Sequence, residues 1–384
     1  MAGTTPPFAV STASTSWKPP LDSEKPHCPY TTNFSVNITR HHPPPPFGCE
    51  EYGVGNWPMN VTWEWLRSVT QTKHVLHYPP LESGTPLSSP QTAKLTITKP
   101  IAVEDGRGPQ IALCSITLNA AGSNSKSFTA VAKIFDPLYY SFRNKLASHE
   151  PVDVAFEADG DYSREAAAYE HLQKTQQTGC FAPSYYGSWT FNLSIRHGGV
   201  VRHRPIRLIL IENLHGVCMR DLCNDPRSLT YDEGYRLGVL AKVIDGYVRQ
   251  DHQGCLQDDL APRNIILIPG PQHKAGPQPI PRVVLIDYNN AIVYDRTIAG
   301  RNASDITKLP KSPLDWFWDD TLSQFDGWRP PQWNANYRVV QKWLLREFQG
   351  KNASLYEPPQ RELTLDPPRE IPAHWSTSEN TSVC

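Results

Sequence analysis

Short aliphatic and β-branched runs alternate with polar turns through the middle of the chain. Residues 95–101, 111–118 and 128–135 carry such runs, separated by Gly, Asp, Asn and Ser, which predicts three strands of an antiparallel meander. Asp161 opens a predicted helix running through Gln176, and residues 206–211 form another apolar strand. Three strands, a helix and a strand make an α+β unit. The second half reads as mainly helical. Thr230 with Glu233 three residues on is a capping-box pattern, and Leu237, Leu240, Ala241, Ile244, Tyr247 and Val248 follow at helical spacing until Gly254. A hairpin follows, residues 265–268 and 283–286, around a Pro/Gly-rich loop at 269–281. Further helical segments carry the Trp-rich stretch 316–333 and the amphipathic run 337–348, closed by Gly350. Upstream, Val61, Trp65, Leu66 and Val69 mark a short amphipathic helix.

Composition changes this picture mainly at the ends. The 37 prolines cluster, with Pro6-Pro7, Pro19-Pro20 and Pro43 to Pro46 set among Ser, Thr and Asn. A stretch of that kind buries too little apolar surface to offset ordering, so residues 1–50 are expected to be disordered. Residues 51–90 read as an extension with one short helix, 91–355 as a single large domain, and 356–384 as a Pro-rich tail. Charge adds little: 37 Lys plus Arg against 38 Asp plus Glu give no basic excess for nucleic acid. With neither a membrane span nor a signal peptide in the pattern, a cytoplasmic protein is expected. The eight cysteines are scattered without a Cys-x-x-Cys pair, which argues against a zinc site and a compact disulfide framework. The tryptophans between 316 and 333 are expected to pack a core, in preference to lining an aromatic pocket.

Candidate chemistry lies in three places. Lys133 sits inside the apolar strand Ala130-Val131-Ala132-Lys133-Ile134, where a charge needs a partner. Glu165 shares a helix face with Ala168, Tyr169 and Leu172, the face turned to the core, and can supply it. In Asp258-Asp259-Leu260-Ala261-Pro262-Arg263-Asn264 the side chains of Asp259 and Asn264 can face one point, as a hard cation and a hydroxyl-proton acceptor require. The strand Val283-Val284-Leu285-Ile286 ends in Asp287, a carboxylate suited to magnesium.

The order of these fragments resembles the phosphotransfer layout of the protein kinase superfamily, and most closely that of fungal kinase-like proteins with an Asp-Leu-Ala-Pro-Arg-Asn catalytic loop. The likeness covers residues 95–291. It implies a two-lobed protein-kinase-like fold, with an antiparallel-sheet N-lobe (91–214) and a mainly helical C-lobe (215–355). It also implies ATP and Mg2+ as cofactors, with an unidentified protein or small molecule as phosphoacceptor. By this resemblance Lys133 holds the α- and β-phosphates, Glu165 positions it, Asp259 accepts the acceptor's proton, and Asn264 and Asp287 bind magnesium. Glu212-Asn213-Leu214 resembles the adenine-binding hinge, with Glu212 and Leu214 as its contacts. Gly106 and Gly108 belong to a phosphate-covering turn in which Ile111 stands where a third glycine belongs. Gln257-Asp258 replaces the usual His-Arg, and Arg263 compensates for Ala261, which occupies the place of a phosphate-contacting lysine. Asp287-Tyr288-Asn289 lacks the usual glycine and no Ala-Pro-Glu follows, a shortened ending more like the aminoglycoside and choline phosphotransferases. The alternative reading is a pseudokinase, the same site retained in a binding scaffold.

Overall fold

The computed structural model describes residues 17–58, 61–84, 88–118, 126–147, 150–272, 278–302, 306–334 and 336–367. Six strands form a closed antiparallel barrel: β1 (Ser35–Arg40), β2 (Thr92–Ala102), β3 (Gln110–Leu118), β4 (Ser127–Phe135), β5 (Tyr185–His197) and β6 (Val200–Glu212), in the spatial order β1-β2-β3-β4-β6-β5. Alternation builds its core. Ala93, Leu95 and Ile97 of β2, Ala112, Cys114 and Ile116 of β3, and Ala130, Ala132 and Ile134 of β4 all point inward and are fully buried. The β5–β6 hairpin turns through Gly198 and Gly199, both at positive φ, with His197 paired to Val200. A two-residue turn with that backbone favours glycine at both positions.

Two short helices, α1 (Trp63–Ser68) and α2 (Gln71–His77), precede the barrel strands, and α3 (Val154–Lys174) crosses between β4 and β5. Val154 and Ala158 of α3 join the barrel core, whereas Ala166, Tyr169 and Leu172 join a second core. That second core gathers α5 (Glu233–His252) and the buried Trp318, Trp328, Trp333 and Trp343. Around it lie β7 (Val217–Cys218), α4 (Met219–Cys223), the pair β8 (Cys255–Leu256) and β11 (Ile292–Val293), the hairpin β9 (Ile265–Ile268) and β10 (Arg282–Leu285), and the helices α6 (Pro313–Phe317) and α7 (Tyr337–Leu344).

The expected two-lobed protein-kinase-like fold is corrected by this closure. The strands form no open N-lobe sheet, because β1 pairs with β2 from Ser35 to Thr39 and with β5 at Thr39 and Arg40. Its source is the segment expected to be disordered. Proline density there hid the alternation of Val36 and Ile38, and the pairing partners are distant in sequence. Elsewhere in residues 17–50, Tyr30 and Phe47 are fully buried; residues 1–16 lie outside the described residues. Strand β5 was not expected either, since Gly187 and the polar Asn192 and Ser194 break its apolar pattern. Helix α3 begins seven residues earlier than Asp161, capped by Asp153, whose side chain accepts from the Phe156 amide at 3.0 Å. At α5 the cap is Asp232, which accepts from the Tyr235 amide, while Thr230 donates to the Arg227 carbonyl. In the expected tail, Leu363 and Leu365 pack on the second core; residues 368–384 lie outside the described residues. No described helix is long and apolar enough to cross a membrane.

Candidate functional site

Strand β4 is paired on both sides, Lys133 standing opposite Ile111 of β3 and Ile209 of β6, so its backbone position is fixed by two ladders. Its ammonium Nζ lies 2.5 Å from Glu165 Oε2 on α3 and 2.5 Å from Asp287 Oδ1 beyond β10. A buried cation is tolerated only with such partners. Burial alone would lower the lysine pKa, but Asp287 first and Glu165 second reverse this, and the ammonium is held charged. Glu165 is pushed up to about 7 by burial, with the lysine opposing the rise. Asp287 is held below the usual carboxylate range by Lys133; Arg263 and Arg107, the latter from the β2–β3 turn, add to the effect.

The second part of the site is the loop after β8. Pro262 to Asn264 form a single 3₁₀ turn. Arg263 Nη2 donates to both carboxylate oxygens of Asp259, at 2.6 and 2.8 Å, and Asn264 Nδ2 donates to Asp259 Oδ2 at 2.8 Å and to its carbonyl at 2.9 Å. Two bonds join this loop to the first part. The Ile286 amide donates to the Asn264 carbonyl at 2.9 Å, and the buried Gln257 donates to the Ile286 carbonyl at 3.0 Å. Asp258 and Asp287 both hold positive φ, at 54° and 65°, two of the five described non-glycine residues that do. Such backbone costs of the order of 1–3 kcal/mol and gathers at functional sites.

Lys133, Glu165 and Asp287 are therefore brought together, and Asp259, Arg263 and Asn264 form a second cluster bonded to the first through Ile286. Glu212 closes β6. Its carboxylate takes Arg282 at 2.8 and 3.0 Å and the Ser184 amide at 2.9 Å, and its own amide donates to the Ser184 carbonyl at 2.8 Å. Its side chain and N–H thus brace the end of β6; Leu214 follows, half-buried. Gly106 and Gly108 lie in the β2–β3 turn at φ +80° and +118°. The turn is stapled from inside by fully buried Gln110, which donates to the Gly108 and Glu104 carbonyls and accepts from the Glu104 amide.

Sequence reasoning missed Asp161 and Arg164. Asp161 stands one helical turn before Glu165 on the same face and accepts from Arg164 Nη2 at 2.8 Å and from Tyr140 at 3.2 Å. Arg164 in turn donates to the Asn289 carbonyl at 2.6 Å and the Phe47 carbonyl at 2.8 Å, tying α3 to the segment after Asp287. The four-residue spacing of two acids on one helix was the available signal, obscured by taking Asp161 as the helix start.

For a divalent cation, Asp287 offers a part-exposed carboxylate, and with Asn264 Nδ2 used as a donor, the amide Oδ1 is the atom left to coordinate. Among the described residues no three His, Cys, Asp or Glu side chains form a group able to hold a metal alone. A carboxylate and an amide oxygen fit magnesium that takes its other ligands from phosphates and water. No protein-family model matches the chain, and a search of the curated proteins finds no match.

Proposed function

We propose that the chain is an ATP- and magnesium-dependent phosphotransferase that moves the γ-phosphoryl group to a hydroxyl of a protein or small-molecule acceptor. The observation that carries this reading is the buried Lys133 ammonium, 2.5 Å from carboxylates of two separate elements. A lysine held charged and immobile beside an exposed-edged carboxylate is what phosphate binding next to a metal requires. In this reading Lys133 contacts phosphate oxygens, Glu165 fixes its direction, and Asn264 and Asp287 hold magnesium, which neutralises phosphate charge when bound. Asp259 takes the acceptor's hydroxyl proton as the acceptor oxygen bonds to the γ-phosphorus and ADP departs with the bridging oxygen. Arg263, half-exposed beside Asp259, orients that carboxylate.

A second reading, nucleotide binding without transfer, is supported by the occupation of both Asp259 oxygens by Arg263 and Asn264. Calorimetry of ATP with and without magnesium, on the wild type and Lys133→Met, tests the site itself. Magnesium-dependent binding weakened at least tenfold in the variant is expected; no binding at millimolar ATP would sink both readings. Asp259→Asn then separates them. The transferase reading expects ATP turnover to fall by about 10²–10⁴-fold with ATP affinity retained, a general-base effect, and equal turnover in the two proteins would leave only the second reading.

A further inference from the structure

A cavity of about 420 Å³, a size typical of small-molecule sites, lies at the C-terminal end of α5. Its wall includes Asp251 and His252 at the end of α5, Tyr294 and Thr297 after β11, and Trp316 of α6. Ile292, also in the wall, pairs with Leu256, three residues before Asp259. At about 5 Å across a ladder and at most about 3.6 Å per residue, the backbone of Ile292 lies within roughly 16 Å of that of the proposed base. Glu51 of the wall and Asp258, the neighbour of the proposed base, repel one another, and Tyr247, which meets the Trp316 ring at 90° and 5.9 Å, also senses Asp258.

The lining defines what could fit. Tyr294 donates its hydroxyl hydrogen to Asp251 Oδ1 at 2.5 Å, Thr297 to the Tyr294 carbonyl at 2.8 Å, and Thr307 to the Leu309 carbonyl at 2.6 Å. Each hydroxyl hydrogen is thus used within the wall, which leaves the oxygens as acceptors. The charges are largely matched as well: Lys311 and Arg301 act on Asp251, and Arg301 Nη2 donates to the His252 carbonyl at 2.6 Å. Trp316 is 37% exposed, so part of its indole is open to contact. A wall that combines acceptor oxygens, the N–H donors of Arg301, Asn302 and Lys311, balanced charge and one open aromatic ring suits a ligand whose hydroxyls both donate and accept, with no net charge and a C–H face.

We infer that this cavity binds a neutral polyhydroxylated small molecule, a sugar or cyclic polyol, as the phosphoacceptor. The acceptor role rests on the proposed transferase activity; the binding does not. In the transfer, a ligand hydroxyl loses its proton to Asp259, its oxygen bonds to the γ-phosphorus, and the bond from that phosphorus to the β–γ bridging oxygen breaks.

Saturation-transfer NMR on the full chain without nucleotide tests the binding, with D-glucose, D-galactose and myo-inositol as probes and choline and phosphoserine as charged controls. Transfer to at least one polyol at millimolar concentration is expected, reduced at least fivefold in Trp316→Ala and in Thr297→Val, both at only partly buried positions. No transfer to any polyol, transfer unchanged in both variants, or stronger transfer to a charged control would overturn the inference. The ATP calorimetry above, on the same protein, keeps the two proposals apart. ATP binding without polyol binding removes the polyol site alone, whereas polyol binding without ATP binding removes its acceptor role.

Discussion

Asp159 of α3 is 3% exposed; one oxygen accepts from the Leu81 amide at 2.7 Å and the other has no hydrogen-bond partner among the described residues. Burial pushes its pKa from 3.8 up to about 7, with the Leu81 bond and Arg207 opposing. A carboxyl raised on folding binds more protons in the folded than in the unfolded state between those values. Its contribution to stability is complete below about pH 4 and is lost as pH rises towards 7 and beyond. Glu165, also raised to about 7, adds in the same direction. Asp159→Asn is expected to flatten the fall in unfolding free energy between pH 4 and 8, and to be no less stable than the wild type at pH 8. Urea unfolding at several pH values checks this, and an unchanged slope would refute it. Tyr30 is a second residue with a readable effect. Its hydroxyl donates to buried Asp136 at 2.5 Å, where Arg204 also binds. Tyr30→Phe removes one donor from a buried carboxylate and should cost about 1–3 kcal/mol by the same unfolding assay.

Helix α3 carries Glu165, Asp161 and Arg164, so its start has functional weight. The Asp153 cap accepts from the Phe156 amide and also from His74 Nε2 at 2.8 Å, the Nδ1 of that ring accepting from Trp65 Nε1. Asp153→Ala should destabilise by about 1–2 kcal/mol in thermal or urea unfolding. Strand β5 is the other informative element. Gly187, at φ +100°, forms an irregularity in the pairing with β6, and a Cβ there would lie 1.3 Å from Arg40 Nη1, which donates to the Tyr186 carbonyl at 2.6 Å. Gly187→Ala therefore forces Arg40 off the seam between β1 and β5, at an expected cost of about 1–3 kcal/mol. The elements that were legible share a property: β2, β3, β4, α5 and the β9–β10 hairpin state their identity in local alternation or helical spacing. Those that were not legible are defined by distant partners. Gly187 has no local pattern that marks a strand, its role being to leave space for Arg40, and Val36 and Ile38 read as part of a proline-rich segment until two strands flank them.

At the scale of the molecule the same division separates site from fold. The pairing of Lys133 with Glu165 was readable because a lysine within an apolar strand and an inward-facing glutamate need each other, and Asp287 at a strand end was readable for similar reasons. The barrel was not, because closure depends on a seam that local patterns do not contain, and the braced carboxylate of Glu212 depends on Arg282, seventy residues away. The seam also bears on how the chain is made. Thr39 and Arg40 leave the ribosome about 150 residues ahead of Thr190 and Trp189, the partners they finally meet. At about 5–20 residues per second that interval is roughly 8–30 s. Throughout it the first-made strand has one face and one edge unclaimed, and the barrel can be sealed only by a segment that has waited for its own enclosure to be synthesised.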